Sequence, residues 1–313
     1  MSLPILKTLG GLVLLTLGAE LLVRGGTALA RRGGLPPLVV GLTVVSIGTS
    51  LPELVVSVGA ALQGKEAIGI GNVVGSNISN IGLILGLAAL VRPMEVETQA
   101  VRLDAPILVG TSLLLVALLL DGELGGGDGA LLTLGVVGYL GFTVWAARRS
   151  PAQVHDAVTD ERPLQTSLVG AVGRFVLGIG GLLLGAHLLV DGAVRLARLY
   201  EVSELVVGLS VVAVGTSLPE LATSVMASYR GRGSLAIGNA IGSCILNILG
   251  VLGPTATVIP LSTAALSTVD LVLMVGLAVL LLPLLRSDYT LGRGEGAGLL
   301  LLYSGYMAFL FFG

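Results

Sequence analysis

Two glutamates, Glu53 and Glu220, stand inside long apolar stretches, and each has the same neighbours. Residues 48–53 read Gly-Thr-Ser-Leu-Pro-Glu, and residues 215–220 repeat those six. A charge at the centre of a bilayer costs roughly 2.5–3.5 kcal/mol on insertion scales. No Lys or Arg lies in the middle of an apolar stretch to neutralise these acids. They are therefore either protonated or partnered by cations. Oxygen-bearing residues accompany both: Thr49, Ser50, Ser76 and Asn80 with the first, and Thr216, Ser217, Ser243 and Asn247 with the second. Ser76 and Asn80 are four apart, on one helical face, as are Ser243 and Asn247. Calcium takes 6–8 oxygens in flexible geometry, whereas magnesium demands an octahedron and dehydrates reluctantly. Neither His nor Cys is placed like a transition-metal ligand. Two carboxylates balance one divalent ion or two monovalent ones. An empty site of charge −2 crosses a membrane poorly, which favours obligatory exchange over uniport.

The elements that must hold these residues follow from composition. The chain has 313 residues, of which 54% are apolar and 12% charged, and its mean hydropathy is +0.98. Soluble domains carry roughly 25% charged residues. That excludes an ordinary soluble enzyme, a nucleic-acid binder and a disordered chain. The single cysteine, Cys244, excludes an intrachain disulfide and a cysteine metal cluster. Glycine is abundant, at 47 residues, and small residues let membrane helices approach closely.

A membrane span needs about 20 largely apolar residues. On that basis we read ten, near 4–23, 36–62, 67–91, 103–120, 129–147, 167–190, 202–229, 234–259, 265–285 and 296–312. The first is taken as a span, since no small-residue cleavage site precedes Glu20 and Arg24. Arg148–Pro163 is the only long polar stretch and reads as a linker between two halves. Of the 17 Lys and Arg residues, 13 fall in the linker and the loops on its side. The positive-inside rule then puts the linker in the cytoplasm and both termini outside.

The halves repeat one another. Leu38–Leu54 and Leu205–Leu221 share 14 of 17 residues at an offset of 167, and "GNVVGSNISNIG" from Gly71 matches "GNAIGSCILNIL" from Gly238 at the same offset. Five spans per repeat is an odd number, so the second copy enters the membrane from the opposite side. The expected architecture is all-α and polytopic: ten transmembrane helices as two inverted five-helix repeats. The first repeat covers 1–147, the cytoplasmic linker 148–165 and the second repeat 166–313. Proline and glycine in both GTSLPE motifs predict broken helices at the midplane. The Gly71/Gly75 and Gly238/Gly242 pairs predict close helix packing. Asp104 and Asp270 read as N-terminal caps. His187 reads as a packing or interfacial residue, Arg195 and Arg198 as interfacial anchors, and Cys244 as a small buried residue.

The GTSLPE and GNxxGSNxxN segments resemble the two alpha repeats of the sodium/calcium exchanger branch of the cation/calcium exchanger superfamily, in its prokaryotic form. The likeness covers both halves. It implies a multi-pass antiporter with one central ion site, opening to one membrane face at a time. By motif position it implies ligands at Thr49, Ser50, Glu53, Ser76 and Asn80, and at Thr216, Ser217, Glu220, Ser243 and Asn247. Backbone carbonyls would come from Ser46 and Ala213. It also implies that spans 1 and 6 slide against the rest. Asn247 stands where some relatives, including potassium-dependent exchangers, carry aspartate, which argues against potassium co-transport. The motif around Cys244 reads GSCILN instead of GSNxxN. The expected activity exchanges Na+ for Ca2+ across the cytoplasmic membrane, with no cofactor, no nucleic-acid partner and the lipid bilayer as surroundings. A calcium/proton antiporter on the same fold is the alternative, with H+ as the counter-ion. An enzyme is not expected, since no nucleophile–base pair, metal triad or nucleotide loop is present.

Overall fold

A computed structural model describes residues 2–33, 35–64, 66–148, 167–199, 213–262 and 266–312. Most of the linker and the first part of the seventh expected span, up to residue 212, lie outside these residues. The described chain is predominantly helical. Its helices are α1 (Ser2–Gly33), α2 (Pro37–Thr49), α3 (Leu51–Leu62), α4 (residues 66–91), α5 (Ala100–Leu118), α6 (Gly126–Arg148) and α7 (Leu168–Leu199). They continue with α8 (Ala213–Thr216), α9 (Leu218–Tyr229), α10 (Gly233–Val258), α11 (Thr268–Arg286) and α12 (Arg293–Phe312). Seven helices among the described residues are long and apolar enough to cross a membrane, and α2 with α3 forms an eighth, bent candidate.

Helices α4 and α10 are the core. Buried residues make up 78% of the most apolar window of α4 and 94% of that of α10, against 22–33% in the other long helices. A helix apolar all round belongs inside a large protein or bundle, and these two carry the Ser/Asn pairs. The surrounding helices leave apolar side chains such as Leu6, Val55, Leu134 and Leu301 exposed, as a lipid-facing surface requires.

Two short antiparallel strand pairs tie the halves together. Met94–Glu95 (β1) pairs with Thr290–Leu291 (β4), and Glu123–Leu124 (β2) pairs with Leu261–Ser262 (β3). Each pair joins one strand from either half. The elements keep the sequence offset: residues 66–91 answer to 233–258, and Leu51–Leu62 to Leu218–Tyr229.

Helices α1 and α7 pack antiparallel with glycine at the contact. Gly11, Gly18 and Gly25 on α1, and Gly178, Gly185 and Gly192 on α7, recur every seven residues. A Cβ on Gly11 would lie 2.5 Å from the Leu189 backbone nitrogen, and one on Gly185 would lie 2.7 Å from that of Leu15. Only glycine permits so close an approach.

Both helices outrun the expected spans, to Gly33 and Leu199. On α1 the extension carries polar partners: Arg24 pairs with Glu20, and Arg230 donates to the same Glu20 from the α9–α10 turn, with Nε and Nη2 each 2.8 Å from a carboxylate oxygen. On α7, Asp191 accepts from Lys7 at 2.5 Å and from Arg195 at 3.0 Å. The Arg198 side chain lies outside the described residues.

Candidate ion site

The site is built by breaking two helices. Pro52 has no amide to offer Gly48, and Pro219 none for Gly215, so a carbonyl is freed in each motif. The expected break occurs at Ser50, where α2 and α3 meet at 43°. Ser50 has φ −83° and ψ 7°, and Ser217, between α8 and α9, has φ −86° and ψ 6°. Each glutamate therefore sits in the first turn of a new helix inside the protein, where amides and the helix dipole favour a negative charge.

The structure brings both acids into one cluster. Glu53 and Glu220 are each 0% exposed. Ser50 Oγ donates to Glu220 Oε1 at 3.1 Å, and Ser217 Oγ lies 3.4 Å from Glu53 Oε1, so each acid faces the opposite half's broken helix. Ser76 Oγ also lies 3.4 Å from Glu53 Oε1 and 3.3 Å from Ser217 Oγ. The Thr49 and Ser243 hydroxyls are 3.5 Å apart. Thr49 Oγ1 lies 3.4 Å from the Ser46 carbonyl oxygen, which keeps that backbone at the site. Ala213 begins α8, and its side chain lies outside the described residues.

Asn80 and Asn247 are buried, and each opens a short π-helical turn, Asn80–Leu85 and Asn247–Leu252. Such turns often mark functional sites, because they widen the backbone and re-aim one side chain. Asn247 Nδ2 donates to Asn77 Oδ1 at 3.3 Å. Beside Ser79 Oγ and Thr223 Oγ1, four oxygens that pair at the repeat offset have no hydrogen-bond partner in these elements: Glu53 Oε2, Glu220 Oε2, Asn80 Oδ1 and Asn247 Oδ1. They form two pairs at the offset of 167. A buried acceptor left unpaired costs roughly 1–3 kcal/mol, more when charged. Four such acceptors could share a positive charge. Carboxylate, hydroxyl and amide oxygens suit hard cations such as Ca2+ and alkali ions. No group of three or more His, Cys, Asp or Glu that could hold a metal occurs among the described residues.

Sequence reasoning missed two members of this neighbourhood, Asn72 and Asn239. Asn72 Nδ2 lies 3.4 Å from the Glu53 carbonyl oxygen and 3.2 Å from Ser57 Oγ, and Thr216 Oγ1 donates to Asn72 Oδ1 at 3.3 Å. Asn239 repeats the pattern with the Glu220 carbonyl at 3.4 Å, Ser224 Oγ at 2.9 Å and Thr49 Oγ1 at 3.2 Å. Both lie four residues before the site serines, in register, which was the available signal.

Other expectations divide. Asp104 caps no helix: it closes a π-turn over Ala100–Asp104, makes no capping hydrogen bond and is 1% exposed. The π-turn rotates it off the helix end and into the protein. Asp270 does serve a helix start, although Ser267 is the N-cap and Asp270 the third residue of a capping box. Cys244 is buried, and its backbone carbonyl accepts from Asn77 Nδ2 at 3.2 Å, so residues at the repeat offset meet. Gly242 packs closely on α2, where a Cβ would lie 2.6 Å from the Leu42 carbonyl oxygen, whereas Gly71 and Gly75 meet nothing within 4 Å among the described residues. Most of the segment answering to α2, residues 204–212, lies outside those residues. His187 is exposed and lines a cavity of about 390 Å³ with Leu51, Pro52, Val55 and Thr216.

A family model described as sodium/calcium exchanger protein matches residues 4–145 and 170–312. The chain is 39% identical over 308 residues to the putative antiporter CaxA of Alkalimonas amylolytica, covering 96% of each. It is 39% identical over 307 residues to the inner membrane protein YrbG of Escherichia coli, covering 96% of this chain and 93% of that one. A solved structure of the sodium-calcium exchanger NCX_Mj superposes with a TM-score of 0.85 at 32% identity, covering 99% of each chain.

Proposed function

The chain belongs to the sodium/calcium exchanger protein family, a family of membrane-integral cation/calcium antiporters, and from that premise we propose that it exchanges Na+ for Ca2+ by alternating access. The observation that carries the reading is the set of four unpartnered buried oxygens on Glu53, Glu220, Asn80 and Asn247. A pair of protonated glutamates hydrogen-bonded into the bundle would place a donor on a partner. Instead, Glu53 Oε2 and Glu220 Oε2 face none, while the serines donate to Oε1 of each. The ligand set is Thr49, Ser50, Glu53, Ser76 and Asn80 with Thr216, Ser217, Glu220, Ser243 and Asn247, plus the carbonyls of Ser46 and Ala213.

The architecture in this reading is ten spans in two inverted repeats, 1–147 and 166–313, around a linker at 148–165. Three observations support it. Elements recur at the offset of 167. Asn77 meets Cys244, as positions on a pseudo-two-fold axis do. Strand β1 pairs with β4 and β2 with β3, which requires loops 3–4 and 9–10 on one membrane face and loops 4–5 and 8–9 on the other; ten spans satisfy both. We place the chain in the cytoplasmic membrane, both termini outside, by the arginine distribution.

Both ions compete for Glu53 and Glu220. Filling the site cancels the paired negative charges and lowers the barrier to reorientation, whereas an empty site holds the transporter on one side. Each charge moved is worth roughly 2.3 kcal/mol per 100 mV, so a net inward positive charge adds drive to calcium export.

The test is calcium-45 uptake into proteoliposomes loaded with sodium, with sodium-free and pH-gradient controls. Uptake that needs internal sodium and survives collapse of the pH gradient is expected. Uptake that follows the pH gradient and ignores sodium would move the assignment to calcium/proton antiport.

A further inference from the structure

Helix α4 carries three asparagines and α10 two, yet they are not equivalent. Asn80 and Asn247 leave their side-chain oxygens unpartnered. Asn72 and Asn239 have theirs engaged by a threonine of the opposite half, while the amide nitrogen faces a glutamate's own backbone carbonyl and a serine. An oxygen already accepting a hydrogen bond, on an amide whose nitrogen is also engaged, is poorly suited to bind an ion. It is well suited to hold two chain segments at one separation.

We propose that Asn72 and Asn239 are positioning residues, rigid struts that fix each glutamate against the opposite half's broken helix and thereby set the size of cation the site accepts. This inference rests on the ion-site reading above. Asparagine is short and has two side-chain torsions, so its three contacts move together. The Asn72 strut joins the Glu53 backbone to Thr216, and the Asn239 strut joins the Glu220 backbone to Thr49. Ser57 steadies the first from behind, with its own hydroxyl donating to the Gly69 carbonyl at 3.1 Å. Each strut spans the boundary between the halves, so the two together fix how near the carboxylates come. Ca2+ takes oxygens at roughly 2.3–2.6 Å and Mg2+ at roughly 2.0–2.1 Å. A cage of fixed width discriminates among divalent ions by size, and a loosened cage loses that discrimination first against the larger Sr2+.

The experiment measures the ratio of apparent affinities for Ca2+ and Sr2+ in wild type, Asn72→Ala and Asn239→Ala. It is read twice, as sodium-dependent uptake in proteoliposomes and as the ion-dependent rise of the thermal unfolding midpoint in detergent. Loss of one strut should lower the Ca2+/Sr2+ ratio by about two- to tenfold, the equivalent of one hydrogen bond. Ser57→Ala, which removes the hydroxyl that faces Asn72 Nδ2, should produce a smaller change in the same direction, and adding it to Asn72→Ala should produce no further one. Should the asparagine variants fail to fold, Ser57→Ala alone carries the test. An unchanged ratio in variants that merely unfold at lower temperature, or additive effects of Asn72→Ala and Ser57→Ala, would overturn the proposal. A wild-type protein that responds to both ions without transporting calcium would refute the exchange reading and leave the strut to be judged on the ion-dependent unfolding alone.

Discussion

Breaking the ion pair between Glu20 and Arg230 should change which face of the protein stands open. The pair fastens α1 to the α9–α10 turn through two 2.8 Å contacts, and the Arg230 guanidinium carbon also lies 5.8 Å from the Tyr229 ring centre. At the repeat offset Glu20 answers to His187 and Arg230 to Gln63. Gln63 Nε2 donates to its own helix at the Gly59 carbonyl, 2.9 Å away, and His187 lines the cavity of about 390 Å³. One side is thus clasped by charge, whereas the answering position lines a cavity and, among the described residues, carries no equivalent ion pair. If the halves exchange conformations during transport, the Glu20–Arg230 contact belongs to one end state only. The side chains are 46% (Arg230) and 16% (Glu20) exposed, so the pair is worth about 1 kcal/mol. That is about a fivefold change in the ratio of the two end states. The assay is labelling of His187→Cys by a membrane-impermeant maleimide, with the buried Cys244 as the only other thiol. Glu20→Gln should slow labelling by up to that factor, Arg230→Gln should match it, and the double variant should add nothing. High salt should shift the parent protein toward the variants, because a part-exposed pair is screened. Equal labelling rates in folded parent and variants would refute the reasoning.

Glu53→Gln and Glu220→Gln should each abolish sodium-dependent calcium-45 uptake while the protein still inserts and elutes as a folded species; near-normal uptake in either removes the site. Gly11→Ala should destabilise by about 1–3 kcal/mol through overpacking against the Leu189 backbone. Gly10→Ala, with nothing within 4 Å of its Cβ, should leave the thermal midpoint in detergent unchanged. Burial raises the Glu97 carboxyl above its ordinary value, against the opposing hydrogen bonds from Ser234 and the Leu38 backbone. The folded protein therefore holds that proton more tightly than the unfolded chain does. This contribution to stability is present below the ordinary glutamate range and lost as pH rises through the raised value. Glu97→Gln should flatten that limb of the midpoint–pH profile, and an unaltered slope would count against it.

The duplication was legible because polar residues recur in register, and chance similarity of apolar helices does not reproduce them. The breaks at Ser50 and Ser217 were legible from Pro52 and Pro219, since a missing amide acts locally. What escaped reading depends on atoms rather than residue types. Sequence distinguishes Asn72 from Leu but not from Asn80, because it does not say which asparagine oxygen is already engaged. The π-turns at Asn80 and Asn247 left no trace, since they lie in helices buried on nearly every side, where a one-residue slip moves one apolar side chain into another's place. The same kind of turn defeated the capping assignment of Asp104. The length of α1 was underestimated because span reading stops at charge, and Arg24 lies within the helix, paired to Glu20.

The strand pairs also set a timetable for biogenesis. Strand β1, at Met94–Glu95, finds its partner only at Thr290–Leu291, nearly two hundred residues later. At ribosomal rates of roughly 5–20 residues per second, that is a wait of about 10–40 s. Throughout it the first half emerges with a bare strand edge and with Glu53 lacking the hydroxyl that Ser217 brings to it. A nascent chain arrested after its first half therefore lacks the polar partners that the second half brings to Glu53, Ser50 and Thr49. Quality control in the membrane would meet it as an unfinished protein rather than as a smaller finished one.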